Sequence, residues 1–448
     1  MRNYRRADED GDAACANGDE MESVVLKEEP GLKQPQFGGN RVWMLFLLLS
    51  IYITHVMDRQ IMSVLAEPIR KDLALTDTQL GLITGLVFAL FYGVCSVPVA
   101  WLADRFGRIK IIVMACTLWS LCSAAGGLAT SFGQLALARM GVAVGEAGGP
   151  AQSHSLIAER FSAKSRATVL GIFALGLPLG GFFGVVLCGW IAANFGWRTA
   201  VISVSLPGLI FAALLLFTVP ESRGGAGDAD APSFVDGIAA FLKSRLLRSV
   251  ALAAAFSAVT ATGISMWLPA YLIRVKGMTL TDLATYYSAS SAIAIAAGIY
   301  TGGALSDKLA SRWPQSYAMV PAISFLIAAP MLVAAVMAGS WQLSMTLFMV
   351  PLFLLGTFVA PSTALVQHEA TPYQRGIFAS LLMLGINLIG SGIGPLLVGA
   401  VSDFARPTYG DRGLAAGILA IAPVMLLVAF LFFRVSLILK ARSRAEVA

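Results

Sequence analysis

Long apolar stretches separated by short polar connections run through most of this 448-residue chain. A helix that crosses the hydrocarbon layer of a membrane needs about 20 apolar residues, and the stretches have this length. Six of them lie at 42–66, 79–102, 109–130, 133–158, 167–193 and 198–219. Six more lie at 249–273, 282–305, 315–338, 342–368, 376–401 and 414–439. The pattern predicts an all-α polytopic membrane protein with twelve transmembrane helices, which we number as spans 1–12.

The polar regions outside the spans divide the chain further. Residues 1–41 carry many acidic and few aromatic side chains, which predicts a disordered cytoplasmic tail. Residues 220–248 begin with several glycines and continue as an apolar and basic segment, which predicts a cytoplasmic linker with an interfacial helix. The spans therefore form an N-terminal six-helix bundle at 42–219 and a C-terminal six-helix bundle at 249–440, followed by a cytoplasmic tail at 441–448.

The composition supports a membrane location. Hydrophobic residues make up 57% of the chain and charged residues 13%, whereas about a quarter of the residues in soluble domains are charged. The net charge of +6 does not indicate nucleic-acid binding, because no basic run exceeds two residues. The cysteines lack the spacing of a metal or redox site, and no ATP-binding loop occurs. We therefore predict no metal and no cofactor, and a membrane gradient as the energy source.

Lysine and arginine are unequally distributed between the two sides of the predicted spans. With both termini placed inside, the cytoplasmic loops and tails hold 23 of these residues and the external loops hold 7, while Arg59 and Arg139 lie within spans. Because basic loops are retained in the cytoplasm, this bias predicts that both termini are cytoplasmic. The low cysteine content and the lack of a recognisable signal peptide are what we expect of a bacterial inner-membrane protein. We expect it to be a monomer.

A charged motif recurs in the two halves. The copies lie 203 residues apart, after span 2 and after span 8, and contain Asp104, Arg105 and Arg108 in the first copy and Asp307 and Arg312 in the second. Glu159 and Arg166 after span 4 likewise have counterparts after span 10. Two six-span halves with the same topology predict pseudo-symmetric parallel repeats around a central path.

The first copy of the motif resembles the G-x-x-x-D-R-x-G-R pattern of the major facilitator superfamily, with Ala100 in place of the first glycine. Twelve spans with a central linker are similar to the plan of that superfamily over residues 42–440. The resemblance implies alternating access, with loop charges that form a latch when the cytoplasmic ends of the halves meet. The gating residues would be Asp104, Arg105, Arg108, Glu159, Arg166, Asp307 and Arg312. Alternatively, these charges only anchor the loops in the cytoplasm.

Ionisable residues inside a span are costly and indicate a functional site. Span 1 carries His55, Asp58 and Arg59, and span 4 carries Arg139 and Glu146. The charge of a buried carboxylate beside an arginine depends on its access to water, so we predict that Asp58, Glu146 and His55 couple transport to protons. Alternatively, a permanent Asp58–Arg139 or Arg59–Glu146 bridge only packs the N-terminal half.

The C-terminal half has few polar residues near the middle of its spans. As substrate-binding residues we predict Arg59, Arg139, Thr260, Tyr286 and Asn387. A cavity that is charged on one side and apolar on the other fits an anionic amphiphile, with its head group beside Arg139.

Two segments resemble the spinster family of this superfamily. Residues 52–59, Y-I-T-H-V-M-D-R, are similar to its N-Y-M-D-R motif, and residues 138–147, A-R-M-G-V-A-V-G-E-A, are similar to its R-G-L-V-G-V-G-E-A motif. This resemblance implies a proton-linked transporter of lysophospholipids or sphingoid phosphates, with Asp58, Arg59, Arg139 and Glu146 as its polar core. The M-D-R motif also occurs in organic anion–cation symporters of the superfamily. Transport of a hexuronate or an aromatic acid is therefore the alternative.

Two other functional classes fit the sequence poorly. A channel needs a continuous polar lining, which the C-terminal half lacks. A membrane enzyme needs a nucleophile with its base or a metal cluster, and the adjacent Ser153 and His154 are too weak a signal. The sequence favours a transporter whose partners are its substrate, protons and membrane lipid.

Overall fold

A computed structural model describes residues 38–221, 234–313, 315–371 and 374–447. Most of the predicted N-terminal tail and residues 222–233 of the predicted linker lie outside the described residues, as does the side chain of Asp104. Every predicted span corresponds to one helix or to consecutive helical segments. The predicted all-α fold is therefore confirmed.

The helices of the first half follow the predicted spans closely. Spans 1–6 consist, in order, of Gly38–Val64; Asp77–Gly81, Leu82–Leu86 and Val87–Phe106; Arg108–Gly126; Phe132–Glu146 and Pro150–Arg160; Ala163–Ala174 and Gly176–Phe195; and Trp197–Ser205 and Pro207–Thr218. A short helix, Ala66–Asp72, connects spans 1 and 2.

The helices of the second half repeat this arrangement. Spans 7–12 consist, in order, of Arg245–Arg274; Leu280–Asp282, Leu283–Tyr287 and Ser288–Ala310; Ser316–Met337; Trp341–Gly356 and Val359–Glu369; Arg375–Gly385, Ile386–Ser391 and Gly392–Tyr409; and Gly413–Leu419 and Ile421–Val447. Helix Phe234–Lys243 lies in the predicted linker, where Phe241 packs edge-on against Phe378 of span 11.

Span 4 is broken near its middle, and this break partly explains why fewer than twelve long apolar helices are found among the described residues. In the described part of the chain, ten helical stretches are long and apolar enough to cross a membrane. This count treats spans 11 and 12 as one stretch and omits span 4, whose segments have 15 and 11 residues. The first segment ends at Glu146, and Pro150 starts the second, at a helix position where its missing N–H is tolerated. The break places Glu146 at the end of a helical segment in the interior of span 4.

Local structure repeats with the period that the sequence shows. The hydroxyls of Thr76 and Thr279 cap the starts of spans 2 and 8, 203 residues apart, and a π-helical turn follows each cap. Ser131 and Ser340 cap spans 4 and 10, 209 residues apart. Equivalent caps at both spacings support two copies of one six-span unit.

Glycines allow the two halves to pack closely toward the end that we predict to be external. A Cβ atom at Gly81 of span 2 would lie 2.5 Å from the carbonyl oxygen of Pro395 in span 11. A Cβ atom at Gly189 of span 5 would lie 2.9 Å from Cβ of Ala284 in span 8. Further along span 2, the nearest atom to a Cβ at Gly93 is 3.8 Å away. The halves are thus in tight contact at one end and more loosely packed toward the other.

A glycine contact within the C-terminal half gives a test of the packing. A Cβ atom at Gly298 of span 8 would overlap the carbonyl oxygen of Phe353 in span 10, whereas one at Gly171 of span 5 would have no neighbour within 4 Å. Gly298→Ala should therefore lower the unfolding free energy by ~1–3 kcal/mol, the usual effect of overpacking. Gly171→Ala should leave it unchanged or raise it. Thermal unfolding of both variants in one detergent measures this difference, and equal melting temperatures would contradict the close approach.

Candidate functional site

Asp58 lies in the interior of the N-terminal half and is paired with an arginine. Its side chain is 1% exposed, and Oδ2 lies 3.3 Å from Nη1 of Arg139, which is also buried. The hydroxyl of Ser205 in span 6 lies 3.2 Å from Oδ1 of Asp58 and 2.9 Å from the hydroxyl of Ser123 in span 3. Spans 1, 3, 4 and 6 thus converge on this carboxylate.

Glu146 forms the second ion pair. Its side chain is fully buried, and Oε2 accepts a 2.8 Å hydrogen bond from Nε of Arg59. Nε2 of His55 lies 3.7 Å from the same oxygen. Among the described residues nothing donates to Oε1 of Glu146, and Nδ1 of His55 has no partner. A buried polar atom without a partner is costly, so these two atoms are available for a proton or a ligand.

The two arginines lie beside one aromatic ring at the edge of a cavity. The guanidinium carbons of Arg59 and Arg139 lie 5.1 and 5.4 Å from the ring centroid of Phe88 in span 2. The cavity has a volume of about 270 Å³. Its walls come from both halves and are formed by Arg59, Gln60, Met62, Ser63, Thr84, Phe88, Arg139, Thr262, Ser265, Met266, Ser391 and Pro395.

The structure brings the predicted charged residues together but places the predicted polar residues of the C-terminal half elsewhere. Thr260 is buried and donates to the carbonyl of Ser257 in its own helix. Tyr286 is 52% exposed and lies against Trp341, and Asn387 donates to the carbonyl of Met383. None of the three lines the central cavity.

Neighbouring polar residues line the cavity instead. Thr262 and Ser265 of span 7 and Ser391 of span 11 contribute to its wall. The hydroxyl of Ser63 in span 1 donates to the carbonyls of Ser265 and Met266, and so joins the two halves. Which polar residues of a helix face a cavity depends on the rotation of that helix in the bundle, which hydropathy does not determine.

A second charged cluster joins the two halves at the predicted external end, and sequence reasoning missed it. Arg274, at the end of span 7, lies 2.6 Å from Glu67 and 2.6 Å from Asp77 across the interface. Arg70 adds a two-point contact to Glu67, at 3.2 and 3.0 Å. Burial raises the pKa of Glu67, but the hydrogen bond from Arg70 and the charge of Arg274 outweigh it and hold this pKa below its usual range. We call Glu67, Arg70, Asp77 and Arg274 the external cluster.

Asp403, at the predicted external end of span 11, caps span 2 from the opposite half. Its carboxylate accepts hydrogen bonds from the backbone N–H groups of Asp77 and Thr78, at 3.1 and 2.7 Å, and from the Thr78 hydroxyl. Ser402 donates to Asp77 at 2.6 Å. A carboxylate at a helix N-terminus is favourable because it satisfies free N–H groups. The sequence carried a signal for this contact, because Asp77 precedes the predicted span 2 and Asp403 follows the predicted span 11 on the side that has few basic residues.

At the opposite end, two ion pairs each lie within one half. Arg108 contacts Glu159 at 2.9 Å, between spans 3 and 4. Glu369 contacts Arg442 at 2.6 Å, between spans 10 and 12. Glu221, which the sequence analysis did not select, accepts hydrogen bonds of 3.1 Å from two backbone N–H groups at the start of span 3.

The remaining predicted gating residues lie at the same end. Arg105 is exposed, with its guanidinium 5.5 Å from the ring of Trp101. Asp307 accepts a 2.7 Å hydrogen bond from the Tyr317 hydroxyl. Arg166 and Arg312 are exposed. The side chain of Asp104 lies outside the described residues.

Comparison with known proteins identifies a family and several relatives. The sequence profile of the Major Facilitator Superfamily matches residues 48–395. An MFS-type efflux pump of Mycolicibacterium smegmatis is 32% identical over 398 residues, which is 87% of this chain and 91% of the relative. A hexuronate transporter of Bacillus subtilis is 26% identical, over 86% of this chain and 93% of the relative. A sphingosine-1-phosphate transporter of Danio rerio is 25% identical, over 88% and 86%.

A solved structure is also similar. The crystal structure of a bacterial homologue of the human lysosomal transporter Spinster, in an inward-facing and unoccupied conformation, has a TM-score of 0.81. It is 28% identical to this chain and covers 89% of it and 97% of its own length.

Proposed function

This chain belongs to the major facilitator superfamily and is a membrane transporter related to spinster proteins and to organic-anion transporters, and we propose that it moves an anionic amphiphile in a proton-coupled cycle of alternating access. We further propose that it resides in a bacterial inner membrane with both termini in the cytoplasm. The substrate class we propose is a lysophospholipid or a sphingoid phosphate.

The observation that carries the proposal is the charge balance at the cavity. Asp58, Arg59, Arg139 and Glu146 form two ion pairs with no net charge, and three of these four side chains are almost fully buried. An anion that binds to either arginine leaves a carboxylate without its partner. An unpaired buried charge is very unfavourable, and one proton on Asp58 or Glu146 restores neutrality. Proton uptake with anion binding follows from this balance, and the unpartnered Oε1 of Glu146 offers a position for the proton.

The form of the cavity supports an amphiphile. Its arginines lie on the N-terminal side, whereas the C-terminal half contributes the apolar Met266 and Pro395 and the uncharged hydroxyl side chains of Thr262, Ser265 and Ser391. An anionic head group beside Arg139 would leave an acyl chain against this uncharged side. The similarity to a sphingosine-1-phosphate transporter points to the same class of substrate.

Transport of a small organic anion is the second candidate. The similarity to a hexuronate transporter covers almost the whole chain, and a cavity of about 270 Å³ accommodates a compact anion. The same arginines would hold its carboxylate. This candidate differs from the first only in the nonpolar part of the substrate.

Equilibrium binding distinguishes the two candidates. We would measure binding of a fluorescent lysophospholipid and, separately, of a hexuronate to the purified protein at two pH values. Arg139→Ala should weaken binding of the lysophospholipid by roughly 10- to 100-fold, the usual effect of losing a charge-assisted hydrogen bond. Glu146→Gln should retain binding and lose its pH dependence, because glutamine resembles the protonated carboxyl group. Arg198→Ala removes an exposed arginine that pairs with Asp72 outside the cavity, and serves as the matched control.

Each outcome has a definite meaning. Saturable lipid binding that Arg139→Ala weakens and Arg198→Ala does not would support the first candidate. Hexuronate binding without lipid binding would establish the second. Binding that depends on pH equally in the wild type and in Glu146→Gln would refute proton coupling through Glu146.

A further inference from the structure

A second cavity lies between the start of span 7 and the end of span 12, at the end that we predict to be cytoplasmic. Its volume is about 470 Å³, and it shares no residue with the central cavity. It is lined by Arg245, Arg434, Leu437, Ile438, Ala441 and Arg442. Three arginines around one cavity at a membrane surface form a strongly positive site.

The spacing of these residues shows how the site is built. Positions 434, 437, 438, 441 and 442 recur every three or four residues and so form one face of span 12. Arg245 faces them from the first turn of span 7, directly after the Ser244 cap. Two helices thus hold the three guanidinium groups around one space.

Only one of the three arginines has an acidic partner in the described part of the chain. Arg442 lies 2.6 Å from Glu369. Arg245 and Arg434 have no carboxylate partner among the described residues. The pocket therefore has two guanidinium groups without a carboxylate partner among the described residues and a third that Glu369 holds in position. Such groups can donate hydrogen bonds to the oxygen atoms of a phosphate group, which arginine binds through paired hydrogen bonds.

An apolar surface continues from this site along span 12. Leu437 borders the cavity and is 50% exposed, and Phe433, Phe430 and Leu426 follow it at intervals of three or four residues, each 46–55% exposed. This stripe leads away from the arginines toward the middle of the span. A positive site that continues into an exposed apolar stripe has the form of a phospholipid, with its head group at the interface and its chain in the membrane.

We propose that this pocket binds the phosphate group of an anionic phospholipid of the cytoplasmic leaflet, with one acyl chain along Phe433 and Phe430. The shape and charge of the site assign it to a resident lipid that is separate from the transported substrate. A free phosphate ion has the same head-group chemistry, and the test distinguishes the two sources.

The test measures bound lipid rather than transport. The purified full-length protein would be titrated with cardiolipin, with phosphatidylcholine and with inorganic phosphate, and lipid adducts would be counted by native mass spectrometry. The comparison is between Arg245→Gln/Arg434→Gln and Lys110→Gln/Lys308→Gln. The control pair removes two exposed basic residues from the same side of the protein outside the pocket.

We expect about fivefold weaker binding of cardiolipin per arginine removed, and so about 25-fold weaker binding for the pocket pair. The control pair should bind cardiolipin like the wild type, and phosphatidylcholine should bind weakly to all forms. Equal losses in the two pairs would show general attraction to basic loops and overturn the proposal. If millimolar inorganic phosphate prevents cardiolipin binding and phosphate alone raises the melting temperature, the site belongs to the free ion, and this result would also overturn the proposal. The melting temperatures of both double variants identify any loss of binding that misfolding causes. Leu437→Gln keeps all three arginines, so it should weaken lipid binding and leave phosphate binding unchanged.

Discussion

Replacing Arg274 with alanine should shift the protein toward a state that is open at the predicted external end. Arg274 contacts Glu67 and Asp77 from the opposite half, and these carboxylates are 2% and 1% exposed. Without Arg274, Arg70 still contacts Glu67 but Asp77 loses its 2.6 Å partner, and removing one partner of a buried ion pair costs about 3–5 kcal/mol. Separation of the halves lets water reach both carboxylates and relieves this cost. The equilibrium between the closed and open states of this end should therefore shift toward the open state by a factor of roughly 100 or more.

Distance measurements between spin labels detect this change. Labels at the exposed positions of Gly133→Cys and Tyr409→Cys report on opposite halves at this end, in a background without native cysteines. The distance distribution in Arg274→Ala should gain a longer component. Arg198→Ala, which removes an exposed pair with Asp72 within one half, should leave the distribution as in the wild type. An unchanged distribution in Arg274→Ala would mean that apolar packing alone closes this end.

The pH dependence of this contact follows from the sign of the shift at Glu67. Its pKa lies below the usual range in the closed structure, so closure is favoured at all pH values above the ordinary carboxyl pKa of about 4.3. The contribution is lost as the pH falls through the lowered pKa. The distance distribution of the wild type should therefore be insensitive to this group between pH 6 and 8, as titration of the same label pair checks.

The second large effect concerns the pair of Asp58 and Arg139. Arg139→Ala leaves the carboxylate of Asp58 buried beside the uncharged hydroxyls of Ser205 and Ser123. The protein should lose about 3–5 kcal/mol of unfolding free energy, which lowers its melting temperature at neutral pH. Acidification should recover part of this loss, because a protonated carboxyl group is less costly to bury.

The double variant separates packing from function. Asp58→Asn/Arg139→Gln replaces both charges with neutral polar groups of similar size, so its stability should return to within about 1 kcal/mol of the wild type. Transport driven by a proton gradient in proteoliposomes should nevertheless be abolished. If the double variant transports like the wild type, the bridge has only a packing role, and the coupling that we propose must be assigned elsewhere.

Part of the site could be found in the sequence because its signal is local. Asp58, Arg59, Arg139 and Glu146 are charged residues within long apolar stretches, and the energetic cost of such residues makes them conspicuous. The sequence analysis also named the bridges Asp58–Arg139 and Arg59–Glu146, without deciding whether they only pack the N-terminal half. The structure pairs Asp58 with Arg139 and Glu146 with Arg59.

The external cluster could not be found in this way. Glu67, Asp77 and Arg274 lie at the ends of spans, where charged residues are common, and Arg274 is about 200 residues from its partners in the chain. Similarly, the exposed Tyr286 and the buried Thr260 differ from Thr262 mainly in helix rotation. A hydropathy pattern averages over the faces of a membrane helix and therefore carries little information about rotation.

The sequence by itself determined the twelve apolar spans, the internal repeat and the presence of four charges in the first half, because span length, period and the cost of buried charge are properties of local segments. Only the tertiary structure decided which C-terminal side chains reach the cavity and that Arg274 joins the two halves through Glu67 and Asp77. These features depend on how helices distant in the chain rotate and pack against each other, and that arrangement results from all of their contacts together.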